Sequence, residues 1–597
     1  MEGFWQKYGK TPFEAILKTL PRGYTNTFLS KHLKINQNVV LEVEILNFRF
    51  TNPARVLCYS LKFECELELV IFYPKPYHKN QFKPKTKLIV SGKLQKYGIL
   101  LSLIQPKILK TINAIIIDFN ALGGKENALR LFAKNVELEA LRDFYPNVPL
   151  EILESLVEIY QPTPAFVEDF HQMRGFFGKP LDAIKFVEMY EYMRLLRKKK
   201  RHFKALKQLK GNIEQWIKSL PFTLTQGQKE AIKDIQDSLK GEFATRRVIV
   251  GDVGCGKTIV ILASVLIAYP SKSVLMAPTS VLAKQLFNEA MQFLPSFLKI
   301  GLLTQNSKIN VQDCDFLIGT HALLYQDLSN RALVMIDEQH RFGTAQRNAL
   351  EKMFNTQSQK AHILQFSATP IPRTQAMIAS NFLDFSFIKD VPFKKDITTR
   401  IIHQEDFKDL LVHIRIEIQK GNQIIIVYPL VEESEILDYT ALKDGEEFWR
   451  KHFEAVYSTH GKDKHKENVL EEFREKGSIL LATTVVEVGI SLPNLSTIVI
   501  VGAERLGLAT LHQLRGRVSR NGLKGYCFLF TKQKITKRLE KFAKTQNGFE
   551  IAQLDLEYRN SGDLLSGINQ SGKQFHWVDL SKDEDIITSA KKALMKS

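Results

Sequence analysis

The octapeptide Gly-Asp-Val-Gly-Cys-Gly-Lys-Thr at residues 251–258 constrains the fold of this chain more than any other stretch. It matches the phosphate-binding loop pattern, in which a buried strand enters the loop and a helix leaves it. Arg247 to Val250 predict that strand, and Thr258 to Ala263 predict that helix. Such a loop directs backbone N–H groups and a helix N-terminus at phosphate oxygens. The sequence therefore predicts an α/β domain that binds a nucleoside triphosphate.

Each residue of this loop has an expected role toward the nucleotide. The glycines let the backbone approach the phosphates closely, Lys257 places a charge at the β- and γ-phosphates, and the Thr258 hydroxyl reaches Mg²⁺. The predicted nucleotide-binding residues are Gly251, Asp252, Val253, Gly254, Cys255, Gly256, Lys257 and Thr258. ATP and Mg²⁺ are the expected cofactors.

Composition favours an anionic partner and argues against several other classes of protein. The 597 residues include 83 Lys and Arg against 64 Asp and Glu, and the net charge of +19 favours nucleic acid, although a generally basic proteome is an alternative explanation. The five cysteines are scattered without a C-x-x-C pair, which argues against a disulfide framework and a zinc site. The longest apolar run, Ile259 to Tyr269, is shorter than the about 20 residues of a membrane helix. We therefore expect a cytoplasmic protein without a membrane partner.

The region before the loop divides into a β-rich and a helical part. Five short strands predict a small barrel of the oligonucleotide-binding kind at about residues 38–109, with a generic β domain as the alternative. The predicted strands are Val39 to Leu46, Val56 to Phe63, Glu66 to Tyr73, Lys87 to Leu94 and Ile99 to Ile104. Residues 127–218 predict helices, and their basic run at 194–201 is either a solvated helix face or a DNA-facing surface.

From Phe222 onward, strands and helices alternate in two successive series. The first series predicts strands at Ser273 to Met276, Phe316 to Ile318, Leu333 to Ile336 and Ile363 to Phe366. The second series predicts strands at Ile424 to Tyr428, Ala455 to Tyr457, Ile479 to Ala482, Thr497 to Val501 and Tyr526 to Phe530. Two parallel sheets are therefore expected, with ligands at the carboxyl ends of their strands and a boundary near Val391-Pro392.

An acidic motif, Asp337-Glu338-Gln339-His340, directly follows one of the predicted strands. At a strand end, Asp337 can hold Mg²⁺ while Glu338 orients and activates the attacking water. The motif is weak by itself, but its place downstream of a phosphate loop makes it a strong indication of hydrolysis.

A third motif, Gln-Leu-Arg-Gly-Arg-Val-Ser-Arg, occupies residues 513–520. Hydrolysis develops negative charge on the γ-phosphoryl oxygens, which an arginine from across a cleft can stabilise. Arg517 and Arg520 lie three residues apart, so on one helical turn they would share a face. Both are predicted to be catalytic together with Gln513, and an ordinary basic surface helix is the alternative.

The order of these motifs resembles a superfamily-two helicase motor, in which ATP lies between two RecA-like domains. Thr225-x-x-Gln228 resembles the adenine-reading glutamine motif of that superfamily, with Phe222 as a stacking partner. The resemblance also implies residues that contact nucleic acid or couple hydrolysis to movement: Thr279, Thr320, Ser367, Thr369, Thr483 and Thr484.

Longer motifs resemble the RecG branch of this superfamily. They are Asp337-Glu338-Gln339-His340-Arg341-Phe342-Gly343, Ala368-Thr369-Pro370-Ile371-Pro372-Arg373-Thr374, Ala503-Glu504-Arg505-Leu506-Gly507-Leu508 and Leu511-His512-Gln513-Leu514-Arg515-Gly516-Arg517. Residues 548–572 resemble an element that this branch shares with the transcription-repair coupling factor, a helical hairpin and loop that convert cleft closure into movement on duplex DNA. Arg559 and Gln570 match that element. In the motif at residues 513–520, Ser519 stands where the family usually has glycine.

The resemblance implies an ATP-dependent translocase and helicase for branched double-stranded DNA. It implies reversal of stalled forks and migration of Holliday junctions, with the barrel as a wedge in which Phe72, Tyr73 and Tyr77 are candidates for stacking on bases; core or rim packing is the alternative for each. We further expect a bacterial, nucleoid-associated monomer that meets single-stranded-DNA-binding protein. The rival hypotheses are a binding module with a vestigial ATPase and an RNA-stimulated ATPase.

The resemblance also divides the chain. The predicted parts are a wedge domain at 1–118, a helical linker at 119–215, a first RecA-like motor domain at 216–392, a second at 393–548, and a C-terminal translocation hairpin and tail at 549–597.

Overall fold

A computed structural model describes the chain in most of its length. The described residues are 7–97, 100–119, 126–199, 203–304, 309–338, 342, 346, 359–368, 373–380, 383–392, 395–429, 442–461, 463, 465–483, 492–519, 522–566 and 575–596. The chain forms two compact units, the first from residues 1–192, 574–578 and 585–597 and the second from residues 193–573 and 579–584.

Among its described residues, the first unit contains seven strands and most of the early helices. The strands are β1 (Gly23–Asn26), β2 (Asn38–Arg49), β3 (Ala54–Ser60), β4 (Cys65–Ile71), β5 (Lys87–Tyr97), β6 (Leu100–Leu109) and β7 (Ile115–Asp118). The helices are α1 (Pro12–Lys18), α2 (His78–Gln81), α3 (Glu126–Lys134), α4 (Leu138–Phe144), α5 (Leu150–Tyr160), α6 (Pro164–Met173) and α7 (Gly178–Lys199), the last of which continues into the second unit.

A closed barrel is formed by β2, β3, β4, β6 and β5 in that order. Alternate residues of β3, from Ala54 to Ser60, are buried, as expected for a strand with one face toward a barrel interior. The predicted five-stranded barrel is confirmed. Strands β1 and β7 lie outside it as an antiparallel pair, with Asn26 opposite Ile115. The barrel is therefore an insertion between two paired strands.

Helices complete the first unit around a separate aromatic core. Phe13 of α1 stacks on Tyr145 with ring centroids 3.7 Å apart, and the Tyr24 hydroxyl donates to the carbonyl of Ile159 at 2.7 Å. The C-terminal helix Glu584–Lys596 also belongs to this unit from residue 585 onward. The carboxylate of Glu188 on α7 accepts hydrogen bonds from the backbone amides of residues 576–578. The end of the chain is thus part of the first unit.

The second unit contains two parallel sheets. Their strands are β9 (Arg246–Gly251), β10 (Ser273–Met276), β11 (Ile300–Leu303), β12 (Phe316–Gly319), β13 (Leu333–Asp337), β15 (His362–Ser367), β16 (Asp384–Ile388), β17 (Ile397–Ile402), β18 (Gln423–Val427), β19 (Val456–Thr459), β20 (Ile479–Ala482), β21 (Leu495–Val501) and β22 (Gly525–Phe530), and β8 (Lys204–Ala205) pairs separately with β14 (Gln359–Lys360). The first sheet has the order β11-β12-β10-β13-β15-β9-β16 and the second β17-β22-β21-β18-β20-β19.

Helices cover these sheets. They are α8 (Glu214–Ser219), α9 (Gln226–Leu239), α10 (Lys257–Ala268), α11 (Ser280–Phe293), α12 (Arg373–Ala379), α13 (Phe407–Gln419), α14 (Leu442–His452), α15 (Lys466–Lys476), α16 (Leu508–Arg515), α17 (Lys537–Lys544) and α18 (Gly548–Ser566). In β13, Leu333 and Met335 enter one apolar core while Val334 and Ile336 enter another, so both faces of the first sheet are covered. The predicted pair of RecA-like parallel sheets is confirmed. Within the described ranges, we find no helix with the length and apolarity that membrane crossing requires.

Candidate active site

The carboxyl ends of the first sheet bring the predicted motifs to one edge, because all its strands run parallel. The adjacent strands β13, β15 and β9 end at Asp337, Ser367 and Gly251, which begins the phosphate loop. On the other side of β13, strands β10 and β12 lead to Thr279 and Thr320. The strand order therefore places the predicted nucleotide motifs on one half of the edge and the predicted nucleic-acid motifs on the other.

The phosphate loop is organised around Lys257. Gly254 and Gly256 have φ angles of +85° and +78°, a left-handed backbone that favours glycine. The Lys257 Nζ donates to the carbonyl oxygens of Gly251 at 2.9 Å and Asp252 at 3.2 Å. Helix α10 begins at Lys257, which places the free amides of its first turn beside the loop. The loop thus combines N–H donors with a positioned ammonium group.

The charge of Lys257 is supported by its neighbours. Burial alone lowers the pKa of Lys257, but the neighbouring carboxylates of Glu338, Asp337 and Asp252 raise it, and the net shift is upward. The lysine therefore remains a cation in this partly buried position, as a phosphate-binding lysine must.

Gln228 connects the start of α9 to the phosphate loop. Its Oε1 accepts a hydrogen bond from the Thr225 backbone at 2.9 Å, while Thr225 Oγ1 accepts from the Gln228 backbone at 3.3 Å, which forms a capping box. Its Nε2 donates to the carbonyl of Cys255 at 2.9 Å. Phe222 is 44% exposed and makes an edge contact with Phe293. Adenine recognition by Gln228 and Phe222 stays a prediction.

The acidic pair lies at the end of β13. Asp337 is buried, and Glu338 follows it with a φ of +49°, which is uncommon for a residue other than glycine. Burial raises the pKa of Asp337 to about 7, the charge of Glu338 adds to this rise, and the charge of Lys257 opposes it. Two neighbouring carboxylates that are shielded from water favour the binding of a cation beside them.

Glu338 is also fixed by the neighbouring strand. Its backbone N–H donates to Asp337 Oδ1 at 3.0 Å, and its Oε2 accepts a hydrogen bond from the backbone of Ala368 at 3.2 Å. Ala368 belongs to the Ser-Ala-Thr motif that the helicase resemblance associates with coupling. In the part of the chain that the structure describes, no cluster of three or more His, Cys, Asp and Glu has a metal-binding arrangement.

Helix α16 of the second sheet contacts the phosphate loop. His512 Nε2 lies 2.6 Å from Asp252 Oδ1, and His512 Nδ1 lies 3.1 Å from Arg515 Nη2. The Arg515 guanidinium is buried over the Phe542 ring at 4.3 Å and donates to the Phe542 carbonyl at 3.2 Å. Both residues belong to a motif that resembles the RecG branch, but the sequence assigned them no role, because no local pattern marks a contact between residues 260 positions apart.

The predicted arginine pair follows the end of this helix. Helix α16 ends at Arg515 and Ser519 has a left-handed φ of +62°, so residues 516–519 do not continue the helix. The shared face of Arg517 and Arg520 stays a prediction, because Arg520 lies outside the described residues. Gln513 is buried on α16, and Arg517 is partly buried after its end. The carbonyl of Gly516 between them accepts a hydrogen bond from Lys395 Nζ at 2.8 Å.

The predicted nucleic-acid residues lie at element ends. Thr279 caps α11 by accepting a hydrogen bond from the Leu282 backbone at 3.3 Å, and Thr320 is buried after β12. Thr483 directly follows the last residue of β20. Their contacts with nucleic acid stay predictions.

Aromatic side chains are exposed beside two chain segments of the barrel. Phe72 is 43% exposed, Tyr73 80% and Tyr77 52%. Phe50, which the sequence analysis missed, is 41% exposed, and the Lys79 ammonium lies 4.6 Å from its ring centre. Because β3 and β4 pair through Ala54 and Ile71, the segments 50–53 and 72–77 flank the same end of the barrel. These exposed rings are not core residues.

Several predicted residues lie outside what the structure describes. They are Thr369, Thr484, Arg520 and Gln570, together with the side chain of Arg559.

Comparisons with known proteins identify the family. Residues 225–378 match the DEAD/DEAH box helicase family, and residues 404–522 match the helicase conserved C-terminal domain. ATP-dependent DNA helicase RecG of Helicobacter pylori (strain ATCC 700392 / 26695) is 48% identical over 602 residues, which cover 98% of this chain and 96% of the relative. The protein of the same name from Aquifex aeolicus (strain VF5) is 32% identical over 641 residues, which cover 96% of this chain and 80% of the relative.

A solved structure agrees with this assignment at the level of the fold. The structure of RecG bound to a three-way DNA junction has a TM-score of 0.57 and 24% sequence identity, and the match covers 96% of this chain and 82% of that chain. The chain belongs to the RecG family of ATP-dependent DNA helicases.

Proposed function

We propose that this protein uses ATP hydrolysis to move on double-stranded DNA and to remodel branched DNA, including stalled forks and Holliday junctions. The observation that carries the proposal is the sheet edge at which the phosphate loop and the acidic pair lie together, with α16 of the second sheet bonded to that loop. Membership of the RecG family and the junction-bound RecG structure support branched DNA as the partner.

The hydrolytic roles follow from position and chemistry. Lys257 and the loop amides bind the phosphates, and Glu338 accepts hydrogen bonds that orient the attacking water. The bond between Glu338 and the Ala368 amide gives that carboxylate a fixed direction. Arg517 and Arg520 stabilise the charge that develops on the γ-phosphoryl group, and the neighbouring Gln513 assists from α16.

Mg²⁺ fits the residues at this edge. The buried Asp337, with its raised pKa beside a second carboxylate, favours a cation, and the Thr258 hydroxyl is the second protein oxygen in the phosphate-loop pattern. Mg²⁺ is usually held by one or two protein groups together with phosphate oxygens and water. When bound, the ion neutralises negative charge on the β- and γ-phosphates.

DNA contacts are assigned to three regions. Thr279, Thr320, Thr483 and Thr484 contact the backbone, and Ser367 and Thr369 link these contacts to the nucleotide. The exposed rings of Phe72, Tyr73 and Tyr77 stack on bases where the barrel separates the DNA arms. Arg559 and Gln570 grip duplex DNA differently in the open and closed states of the motor.

The proposed organisation keeps the boundaries that the sequence suggested. The wedge is assigned to 1–118, the linker to 119–215, the motor domains to 216–392 and 393–548, and the translocation element and tail to 549–597. We further propose a nucleoid-associated monomer in the bacterial cytoplasm that meets single-stranded-DNA-binding protein at forks.

A panel of nucleic acids tests the proposal. ATPase rates and strand separation are measured in parallel on a model fork, a four-way junction, a linear duplex and a structured RNA. We expect the fork and the junction to give the highest ATPase stimulation and to be unwound, with little effect of RNA. Equal or stronger stimulation by RNA supports the RNA-stimulated alternative, and DNA binding without turnover supports the vestigial one.

A further inference from the structure

Asp252 of the phosphate loop receives hydrogen bonds from its own loop and from two distant parts of the second unit. Its Oδ1 accepts from the Val253 backbone at 2.6 Å and from His512 Nε2 at 2.6 Å, and its Oδ2 accepts from the Gly548 backbone at 3.0 Å. One carboxylate therefore joins the loop to α16 and to the first residue of α18. Burial acts to raise the pKa of Asp252, but the bonds from His512, Val253 and Gly548 lower it, so that the net shift is downward.

The bonding around His512 determines which nitrogen donates. A guanidinium group has donors and no acceptor, so Arg515 Nη2 donates to His512 Nδ1, and the hydrogen of the ring lies on Nε2, directed at Asp252. Arg515 is itself held by Phe542 of α17. The histidine is thus braced by the second sheet domain while it donates to the phosphate loop.

Helix α18 is attached at the same point. Asn547 Oδ1 accepts hydrogen bonds from the Phe549 and Glu550 backbones, while the Gly548 amide is directed to Asp252. A carboxylate at this position also suits the positive end of the helix dipole. A Cβ on Gly548 would lie 2.6 Å from the carboxylate carbon of Asp252, so the contact leaves no room for a side chain.

The two helices are also connected to each other. The backbone of Leu508 at the start of α16 donates to Asp555 Oδ1 of α18 at 3.0 Å, and both groups are buried. A displacement of the Asp252 carboxylate therefore acts on two helices, α16 and α18, that are hydrogen-bonded to each other.

The nucleotide acts on the same loop residue from the other side. The Asp252 carbonyl accepts a hydrogen bond from Lys257 Nζ, and a bound triphosphate competes for that ammonium group. We propose that Asp252 is a positioning residue that transmits the state of the phosphate loop to α16 and α18. The inference rests on the proposed function, since it assigns the step between hydrolysis and the C-terminal element.

Two substitutions at His512 test the proposed connection between Asp252 and α16. His512→Leu removes the donor to Asp252, whereas His512→Gln retains an N–H at a similar reach. We expect His512→Leu to lower the DNA-stimulated kcat about tenfold, the order expected for one lost bond to a charged group, with the KM for ATP within about twofold of the wild type. His512→Gln is expected to restore most of the rate. Equal defects in both variants, or a change confined to KM, would overturn the assignment.

One substitution tests the proposed connection between Asp252 and α18. Gly548→Ala displaces the Asp252 carboxylate and retains the helix, and we expect the base pairs separated per ATP to fall about tenfold. Glu471→Gln is the matched control, since Glu471 forms an exposed 2.7 Å ion pair with Lys284 that also joins the two sheet domains. Unwinding per ATP that is unchanged in Gly548→Ala, or equally reduced in Glu471→Gln, contradicts the proposal.

A measurement on the wild type does not depend on the folding of any variant. Hydrogen exchange of residues 547–556 is followed with and without a non-hydrolysable ATP analogue. We expect the analogue to change protection there in the wild type and to a much smaller extent in His512→Leu. No change in the wild type refutes the inference alone, whereas a wild type without DNA-stimulated ATPase refutes the proposed function as well.

Discussion

The carboxylate of Glu338 accepts a hydrogen bond from the backbone amide of Ala368 at 3.2 Å, so the acidic motif and the Ser-Ala-Thr motif are directly joined. These residues directly follow the ends of two adjacent strands, β13 and β15, which pair in parallel. A change in the position of Glu338 during hydrolysis therefore acts on the segment that begins at Ala368. The bond gives a physical basis for linking hydrolysis to movement at this motif.

Glu338→Gln tests the assignment of this carboxylate to the attacking water. The amide keeps an oxygen that accepts from Ala368, but it cannot act as a base. We expect ATP binding close to that of the wild type and hydrolysis slower by about 10²–10⁴-fold, the usual contribution of a general base. Single-turnover hydrolysis and nucleotide titration measure the two effects, and turnover within a few-fold of the wild type would contradict the assignment.

Lys257→Ala tests phosphate binding separately from DNA binding. The substitution removes the ammonium group bonded to the Gly251 and Asp252 carbonyls. We expect ATP turnover to be lost while the affinity for fork DNA stays nearly intact, because the proposed DNA contacts lie on other strands. Titrations with fork DNA measure the affinity, and ATPase assays measure the turnover. A comparable loss of both activities would indicate that the loop has collapsed.

Arg517→Ala and Arg520→Ala test transition-state stabilisation. An arginine that meets developing charge affects the rate by about 10³–10⁵-fold and has little effect on nucleotide affinity. We therefore expect kcat to fall far more than the affinity for ATP. Arg474→Ala, at an exposed position of α15, is the matched control and should leave kcat unchanged. Weaker ATP binding with an unchanged kcat at saturation argues against the role.

Ser519→Gly tests a strained position of the second sheet domain. Ser519 is buried with a φ of +62°, a conformation that costs a residue with a Cβ about 1–2 kcal/mol. Glycine also increases the conformational entropy of the unfolded chain, which offsets about 0.5–1 kcal/mol of the relieved backbone strain. We expect a free energy of unfolding higher by up to about 1 kcal/mol and a Tm higher by about 1–3 °C. Ser329→Gly, at an exposed position outside the positive-φ set, should lower stability; equal losses in both variants would refute the strain argument.

The sequence predicts those parts of the fold that have strong local patterns. Residues 273–276 and 479–482 form strands with the predicted bounds because each is a short, wholly buried and mostly apolar run. Strands β16 and β17 were missed because they lie at sheet edges, where partly exposed polar residues such as Thr398 and Thr399 interrupt the apolar pattern. The phosphate loop and the acidic pair were found because their spacing is local.

The interactions between distant residues could not be predicted in this way. The bond between Asp252 and His512 depends on how two sheet domains pack, and although each residue lies in a recognisable motif, neither motif indicates the other residue as its partner. Similarly, the helical turn expected for Arg517 is lost because the left-handed backbone of Ser519 is a property of the folded chain. Local patterns therefore predict the chemistry of the site, and tertiary packing determines how its parts are connected.

Excision of the barrel tests the wedge more cleanly than removal of residues 1–118 would. That truncation also removes Phe13 and Tyr24, whose buried rings pack against Tyr145 and Phe170 in the helical core of the same unit. Because β1 and β7 pair directly, residues 28–113 can instead be replaced by a four-residue turn rich in Asn and Gly. The helical core is then retained, and its melting transition serves as the control for folding.

The barrel-free protein should separate duplex stimulation from branch recognition. We expect ATPase stimulation by linear duplex to persist, while the preference for forks and their unwinding are strongly reduced, because the exposed rings of Phe72, Tyr73 and Tyr77 are gone. Fork affinity should also depend less steeply on salt. Each lost phosphate contact reduces the magnitude of the negative slope of log K against log salt by about 0.9. Competition between fork and linear duplex over a range of salt concentrations measures both effects. An undiminished fork preference with an unchanged salt slope would show that branch recognition lies elsewhere in the chain.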